Sequence, residues 1–208
     1  MKLKTIIVLI IITLSIFLIY CFNLDTKIYY VNISDLQFEN IEPYNELIFS
    51  NLEKQEKLEK YIDDFSNKDY RTTDLIRDIE QNKAIKVNNK EQTIQNSLIK
   101  ADILTLKMGD NELNYKIDTT EISELFNYCD TLINDLEELF KIIRKYCKED
   151  IYFIGFYNNH SDYYDEIYNY INLKIKDIAT DYEIKFIEIE NIKKSEEHLK
   201  IYNNIMEN

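Results

Sequence analysis

Glycine is nearly absent from this sequence: 208 residues include two, beside one proline, three cysteines, two histidines and no tryptophan. Cys129 and Cys147 fall in one long helical stretch, and a rise of about 1.5 Å per residue puts them about 27 Å apart, beyond disulfide reach. Both are expected to be free, buried thiols, with no redox site. His160 and His198 are far apart and have no cysteine cluster near them, so no metal-ligand spacing exists, and the Asp and Glu runs read as solvated helix faces. Neither a metal nor a cofactor is expected. Lys and Arg number 25 against 38 Asp and Glu, a net charge of -13. Without a basic stripe, nucleic-acid binding is excluded, because phosphate contacts need clustered cations. Scarce Gly, Pro and Ala beside abundant Ile, Asn, Lys, Tyr and Glu is the signature of an AT-rich coding sequence. The 17 tyrosines therefore carry little functional information.

What is present begins with Met1-Lys2-Leu3-Lys4 and an apolar run from Ile6 to Phe22, softened only by Thr13 and Ser15. The run is at the short end of what crosses about 30 Å of hydrocarbon, and the basic residues before it direct the remainder out of the cytoplasm. No small-x-small cleavage site follows, which favours an uncleaved anchor. Cys21 matches a lipoprotein box only loosely, since Tyr20 stands where a small residue belongs. The expectation is a single-pass cell-membrane anchor at residues 1–23 and one extracytoplasmic domain at 24–208, long enough for a single sizeable core.

Lys27 to Ile33 reads as a first strand ending in Ser34-Asp35, and Tyr61 to Phe65 as a second. Helical spacing follows Pro43 through Leu47, Ile48 and Leu52, and a short helix carries Leu75, Ile76 and Ile79 behind a Thr72/Thr73 cap. A turn at Lys86–Lys90 leads to a helix through Ile94 and Leu98, then to a strand from Asp102 to Met108 that ends at Gly109. Apolar residues at Leu125, Cys129, Leu132, Leu136, Leu139, Ile143 and Cys147 form the core stripe of a long crossover helix. Ile151 to Phe156 is the unbroken apolar run of a strand covered on both faces. A helix from Tyr164 to Ile178, with Asp162, Asp165 and Glu166 at its start, a strand from Glu183 to Ile189 and a helix from Lys193 to Met206 complete the chain. This alternation predicts a three-layer α/β/α sandwich around a parallel, roughly five-stranded, flavodoxin-like sheet, without repeats or linkers.

The strand end at Ser34-Asp35, the block Asp69-Tyr70-Arg71-Thr72-Thr73-Asp74-Leu75, the strand ending in Gly109-Asp110-Asn111-Glu112 and the C-terminal His198 together resemble the SGNH/GDSL hydrolases. The resemblance implies an oxyanion donor at Asn111, beside Gly109, with Glu112 where aspartate is usual, and a general base at His198. Asp35 matches the aspartate of the family's Gly-Asp-Ser block. Three positions depart from the pattern. Leu36 falls on the nucleophile, Asp69 on the second-block glycine, and Ser195 on the aspartate three residues before the histidine. Losing the nucleophile removes covalent catalysis, whereas core packing does not depend on it. His160, in the loop after Ile151–Phe156, is a crevice-rim or surface residue.

Three functions follow. The first is a degenerate, membrane-anchored hydrolase homologue that binds an acylated or glycan ligand without cleaving it. In the second, an active serine esterase or deacetylase uses Ser34 as a displaced nucleophile, Asn111 as oxyanion donor and His198 as base, with Asp35, Gly109, Glu112 and His160 around the crevice. The third is an unrelated membrane-tethered interaction protein presenting Tyr157, Tyr163, Tyr164 and Tyr168.

Overall fold

Period-two alternation in Ile28–Ser34 decides how the chain is layered. Tyr29, Val31 and Ile33 enter one buried cluster, and Tyr30 enters another, as expected when a strand is covered on both faces. The computed structural model describes residues 27–35, 43–87, 89–190 and 195–207. The expected anchor at residues 1–23, together with Cys21 and Leu36, lies outside the described residues. Among the described residues no helix is long and apolar enough to cross a membrane.

The strands are β1 (Ile28–Ser34), β2 (Leu58–Ile62), β3 (Ala84–Val87), β4 (Lys90–Thr93), β5 (Ile103–Lys107), β6 (Asp150–Ile154) and β7 (Lys185–Ile187). Five of them form a sheet in the order β2-β1-β5-β6-β7, every neighbouring pair parallel. The helices are α1 (Tyr44–Lys54), α2 (Thr72–Glu80), α3 (Ile94–Lys100), α4 (Asp110–Thr119), α5 (Ile122–Tyr146), α6 (Asp165–Asp181) and α7 (Ser195–Met206). Helices α2 to α6 cover the face that carries Val31, Leu104 and Phe153. Helices α1 and α7 cover the opposite face, where Tyr44, Ile48 and Ile201 pack on Tyr30, Tyr152 and Ile154. This is the three-layer α/β/α sandwich with a five-stranded parallel sheet.

The stripe on α5 buries Leu125, Cys129, Leu132, Leu136, Leu139 and Ile143 as its spacing predicts, and Cys129 and Cys147 are free and buried. Desolvation pushes their thiols up to about 12 and about 11, so they stay protonated and unreactive.

Two local expectations are corrected, for the second strand and for the start of α2, and two local features are added, the hairpin around the expected turn and the helix after Gly109. The second strand is Leu58–Ile62 rather than Tyr61–Phe65, because this edge strand is half-buried and carries polar residues that mask its alternation. The turn at Lys86–Lys90 is the tip of an antiparallel hairpin, β3–β4. Helix α2 begins after Arg71, whose N–H donates to the Asp74 carboxylate at 3.1 Å, so Thr72 and Thr73 lie inside the helix instead of capping it. After Gly109 the chain enters α4 directly.

Candidate active site and ligand crevice

The carboxyl ends of β1 and β5 meet at the centre of the sheet, where strand order reverses and open α/β folds place their ligands. Gly109 caps α4 with φ of 98°, and a Cβ there would stand 3.0 Å from the Phe156 ring. Only glycine makes this turn without strain. The turn aims two backbone N–H groups at Asp35, whose Oδ2 accepts from Gly109 at 2.9 Å and from Asn111 at 3.2 Å. The Asn111 side-chain amide donates to the backbone carbonyl of Asp35 at 2.5 Å and to that of Lys68. The structure thus brings Asp35, Gly109 and Asn111 into direct contact, with both amide hydrogens of Asn111 engaged on main-chain oxygens.

Beneath this turn lies a buried charge cluster. The Lys107 ammonium is fully buried and contacts the Asp110 carboxylate, donates to the Gly155 carbonyl at 2.8 Å and sits 4.8 Å from the centre of the Phe156 ring. Burial pushes the Asp35 carboxyl up to about 8, with the neighbouring Asp110 charge adding to the rise and Lys107 opposing it. Asp110 is also raised by burial, against the pull of Lys107. Asp110 touches the cation, so it keeps its charge. A carboxyl raised to about 8 favours its protonated form at neutral pH, and among the described residues the Asp35 Oδ1 has no hydrogen-bond partner. One lysine and one ionised carboxylate then leave the cluster neutral, which avoids an uncompensated buried charge.

Ser34 and His198 lie on the α1/α7 side of the sheet. Ser34 is two residues from Asn32 and four from Tyr30, and so shares their face of β1. It is buried, its N–H donates to Ser66 Oγ at 3.0 Å, and its carbonyl accepts from the Asn67 N–H at 3.0 Å. His198 is fully buried on α7. Its Nδ1 accepts the Tyr44 N–H at 3.2 Å, and its ring stacks on that of Tyr44. Between them runs a polar network absent from the sequence reading. Thr105 donates to Asn32 Oδ1 at 2.7 Å and pairs with the Tyr30 hydroxyl at 2.9 Å, while Asn32 Nδ2 and Ser66 Oγ each donate to Asp63 Oδ1 at 2.6 Å. Burial raises the Asp63 carboxyl although both hydrogen bonds lower it. The available signal was Asn32 and Ser34, polar residues two apart inside an apolar strand.

The remaining predicted residues spread outward. Glu112 takes the Thr72 N–H at 2.5 Å and the Tyr128 hydroxyl at 3.5 Å, so its carboxylate sits at the start of α2, a position that the helix dipole favours. It lines a cleft of about 490 Å³ together with Asp69, Arg71, Asn111, Tyr115 and Tyr128. Asp69 therefore puts a carboxylate in the same cleft as Asn111. His160 packs away from His198, against α4 and Tyr164, with Nε2 3.3 Å from Asn114 Oδ1 and Nδ1 3.8 Å from Asp118 Oδ1. Ser195 opens α7 and is exposed. No group of metal-ligating side chains occurs among the described residues.

No family model and no curated protein sequence matches this chain. Solved structures do. A catalytic mutant of the acetylxylan esterase Axe2 from Geobacillus stearothermophilus is similar at a TM-score of 0.61 and 13% identity, over 86% of this chain and 91% of that one. The lipase Lip_vut3 from a goat rumen metagenome is similar at a TM-score of 0.60 and 14% identity, over 76% of this chain and 79% of that one. An extracellular lipase from Streptomyces rimosus is similar at 0.55 and 13% identity, over 77% and 80%. The chain has an SGNH/GDSL hydrolase-like fold.

Proposed function

We propose that this protein is an extracytoplasmic, membrane-anchored SGNH/GDSL hydrolase-like protein that binds an acylated or glycan ligand in the Asn111 crevice without cleaving it. The observation that carries the reading is the Asn111 amide, whose hydrogens are spent on the carbonyls of Asp35 and Lys68. An oxyanion hole needs donors free to meet the developing charge, and losing one typically costs about a hundredfold to a thousandfold in rate. The Asp69 carboxylate in the same cleft would repel that charge. Leu36 at the nucleophile position supports the same conclusion. The anchor rests on the apolar run from Ile6 to Phe22.

A second reading, an active esterase or deacetylase, fits esterase and lipase neighbours equally well. It draws specific support from Ser34 and His198, both buried on one side of the sheet. Hydrolysis of p-nitrophenyl acetate by the full chain, beside Ser34→Ala and His198→Ala, separates the two. The binding reading expects no turnover above buffer from folded protein. Turnover that is abolished in both variants would overturn it and make Ser34 the nucleophile.

A further inference from the structure

Charges of both signs face the Asn111 cleft without pairing. Arg71 precedes α2, Lys116 lies on α4 and Asp135 on α5, and together with Asp69 they line a cavity of about 490 Å³, within the range of small-molecule sites. Among the described residues none of these four side chains makes an ion pair, and neither carboxylate accepts a hydrogen bond. Elsewhere on the surface neighbouring charges do pair, as in Arg77 with Asp74, Lys83 with Asp78 and Lys185 with Asp150. The third carboxylate of the cleft, Glu112, is already engaged by the Thr72 N–H and the Tyr128 hydroxyl.

The two signs are held apart. The Lys116 ammonium stands 5.1 Å from the centre of the Tyr128 ring. Burial and the Glu112 charge raise the Tyr128 hydroxyl while Arg71 opposes the rise, so the guanidinium is within electrostatic reach of the same residue. Asp135 lies seven residues further along α5, on the same face and about 10 Å away along the axis. Burial raises its carboxyl, and the Glu112 and Glu138 charges raise it further, with no cation opposing them.

This arrangement selects by charge. An anion alone would meet the carboxylates Asp69 and Asp135, a cation alone would meet Arg71 and Lys116, and a neutral ligand would desolvate all four without compensation. A ligand carrying one separated group of each sign satisfies both ends. Tyr115, 64% exposed, presents an open ring to the same cleft, which suits the apolar C–H face of a sugar. Resting on the reading of the Asn111 crevice as a non-cleaving glycan site, we propose that its ligand is a zwitterionic oligosaccharide, its acidic group between Arg71 and Lys116 and its amino group against Asp135.

The test is calorimetric titration of the full chain at about pH 6.5, where amines are protonated and carboxyls ionised. The zwitterionic probe is N-deacetylated heparosan tetrasaccharide, whose free glucosamine amines alternate with glucuronates. Heparosan tetrasaccharide, chitosan tetramer and chitotetraose are the anionic, cationic and neutral arms, and tetraalanine is a zwitterion without a sugar face. The zwitterionic sugar should bind with Kd of about 1 mM or tighter, a weak specific site, and about tenfold or more tighter than every other arm. Arg71→Gln with Lys116→Gln should weaken it about tenfold without weakening the chitosan tetramer, and Asp135→Asn should weaken it without weakening heparosan. Lys141→Gln, on α5 outside the cleft lining, should change nothing. Melting temperatures equal to that of the parent establish that the variants are folded. Absence of binding, equal binding by any single-charge or neutral sugar or by tetraalanine, or variants that weaken every sugar alike would overturn the proposal. None of these ligands carries an ester, so no arm reads turnover, and binding of the neutral sugar alone would remove this inference while leaving the non-cleaving reading standing.

Discussion

The two ends of the sheet are each organised by one long cationic side chain, and they use it differently. At the amino ends of β6 and β7, Arg144 donates to four backbone carbonyls, those of Tyr182 (2.9 Å), Cys147 (3.2 Å), Glu149 (2.9 Å) and Glu183 (2.6 Å). It is half-buried, so solvent shares the cost of its charge, and its planar fork matches several fixed acceptors at once. At the carboxyl ends of β5 and β6, Lys107 is fully buried, reaches one carbonyl and requires a counter-charge from Asp110. The amino end is therefore a neutral clamp around one partly solvated cation. The carboxyl end stores a buried ion pair and, next to it, a carboxyl whose hold on its proton is raised by burial and by the neighbouring Asp110 charge. Stored electrostatic cost of this kind, at strand ends where open α/β folds gather ligands, is concentrated at functional sites more often than at structural ones.

The comparison breaks most visibly at Lys107. Lys107→Met keeps the length of the side chain but strands Asp110 in the interior, which costs about 3–5 kcal/mol in comparable buried pairs. Urea unfolding should show that loss, and Asp110→Asn in the same background should recover part of it. A null result for Lys107→Met would mean that water reaches the cluster. Gly109→Ala comes next, at about 1–3 kcal/mol for a non-glycine residue forced to positive φ, with a further penalty from the 3.0 Å approach to Phe156. Because the same turn aims the Gly109 and Asn111 N–H groups at Asp35, amide hydrogen exchange at both residues should accelerate in that variant.

How far the sequence revealed these two ends depended on whether the signal was local. The apolar run Ile151–Phe156 and the three-and-four spacing on α5 announce an interior strand and a long covering helix, and both are found there. Gly109 and Asn111 stood out because glycine is scarce, and they do meet Asp35. Lys107 did not stand out, because one lysine in an apolar strand reads as an ordinary solvent-facing position until the strand proves to be covered on both faces. The fate of the Asn111 amide was invisible for a different reason: one of its acceptors, Lys68, is 43 residues away, and no short pattern encodes that approach. The hairpin β3–β4 was read as a turn alone, since its strands are only four residues each, Ala84–Val87 and Lys90–Thr93, too short for alternation to count.

Arg144→Ala removes four donors to carbonyls that water can partly reach, so about 1–3 kcal/mol is expected from denaturant midpoints, at or below the effect of Gly109→Ala. Protection from hydrogen exchange should be lost around Tyr182 and Glu183 and retained around Asp35.

The smallest effect at acidic pH, and the sharpest test of the contrast between the two ends, is Asp35→Asn. A carboxyl at about 8 in the folded protein and about 3.9 in the unfolded chain keeps its proton only when folded across that interval. Its contribution to stability is fully present below about pH 4, declines as pH rises and is lost as pH passes through 8. Asparagine copies the neutral acid: its oxygen can still accept the Gly109 and Asn111 N–H groups, and its NH₂ replaces the Oδ1, which has no partner among the described residues. Unfolding free energies of parent and variant should therefore nearly coincide at pH 4, with the variant increasingly the more stable towards pH 8. Parallel curves across that range would mean that Asp35 is ionised in the folded protein, and the carboxyl end of the sheet would then hold a net charge that some further group must balance.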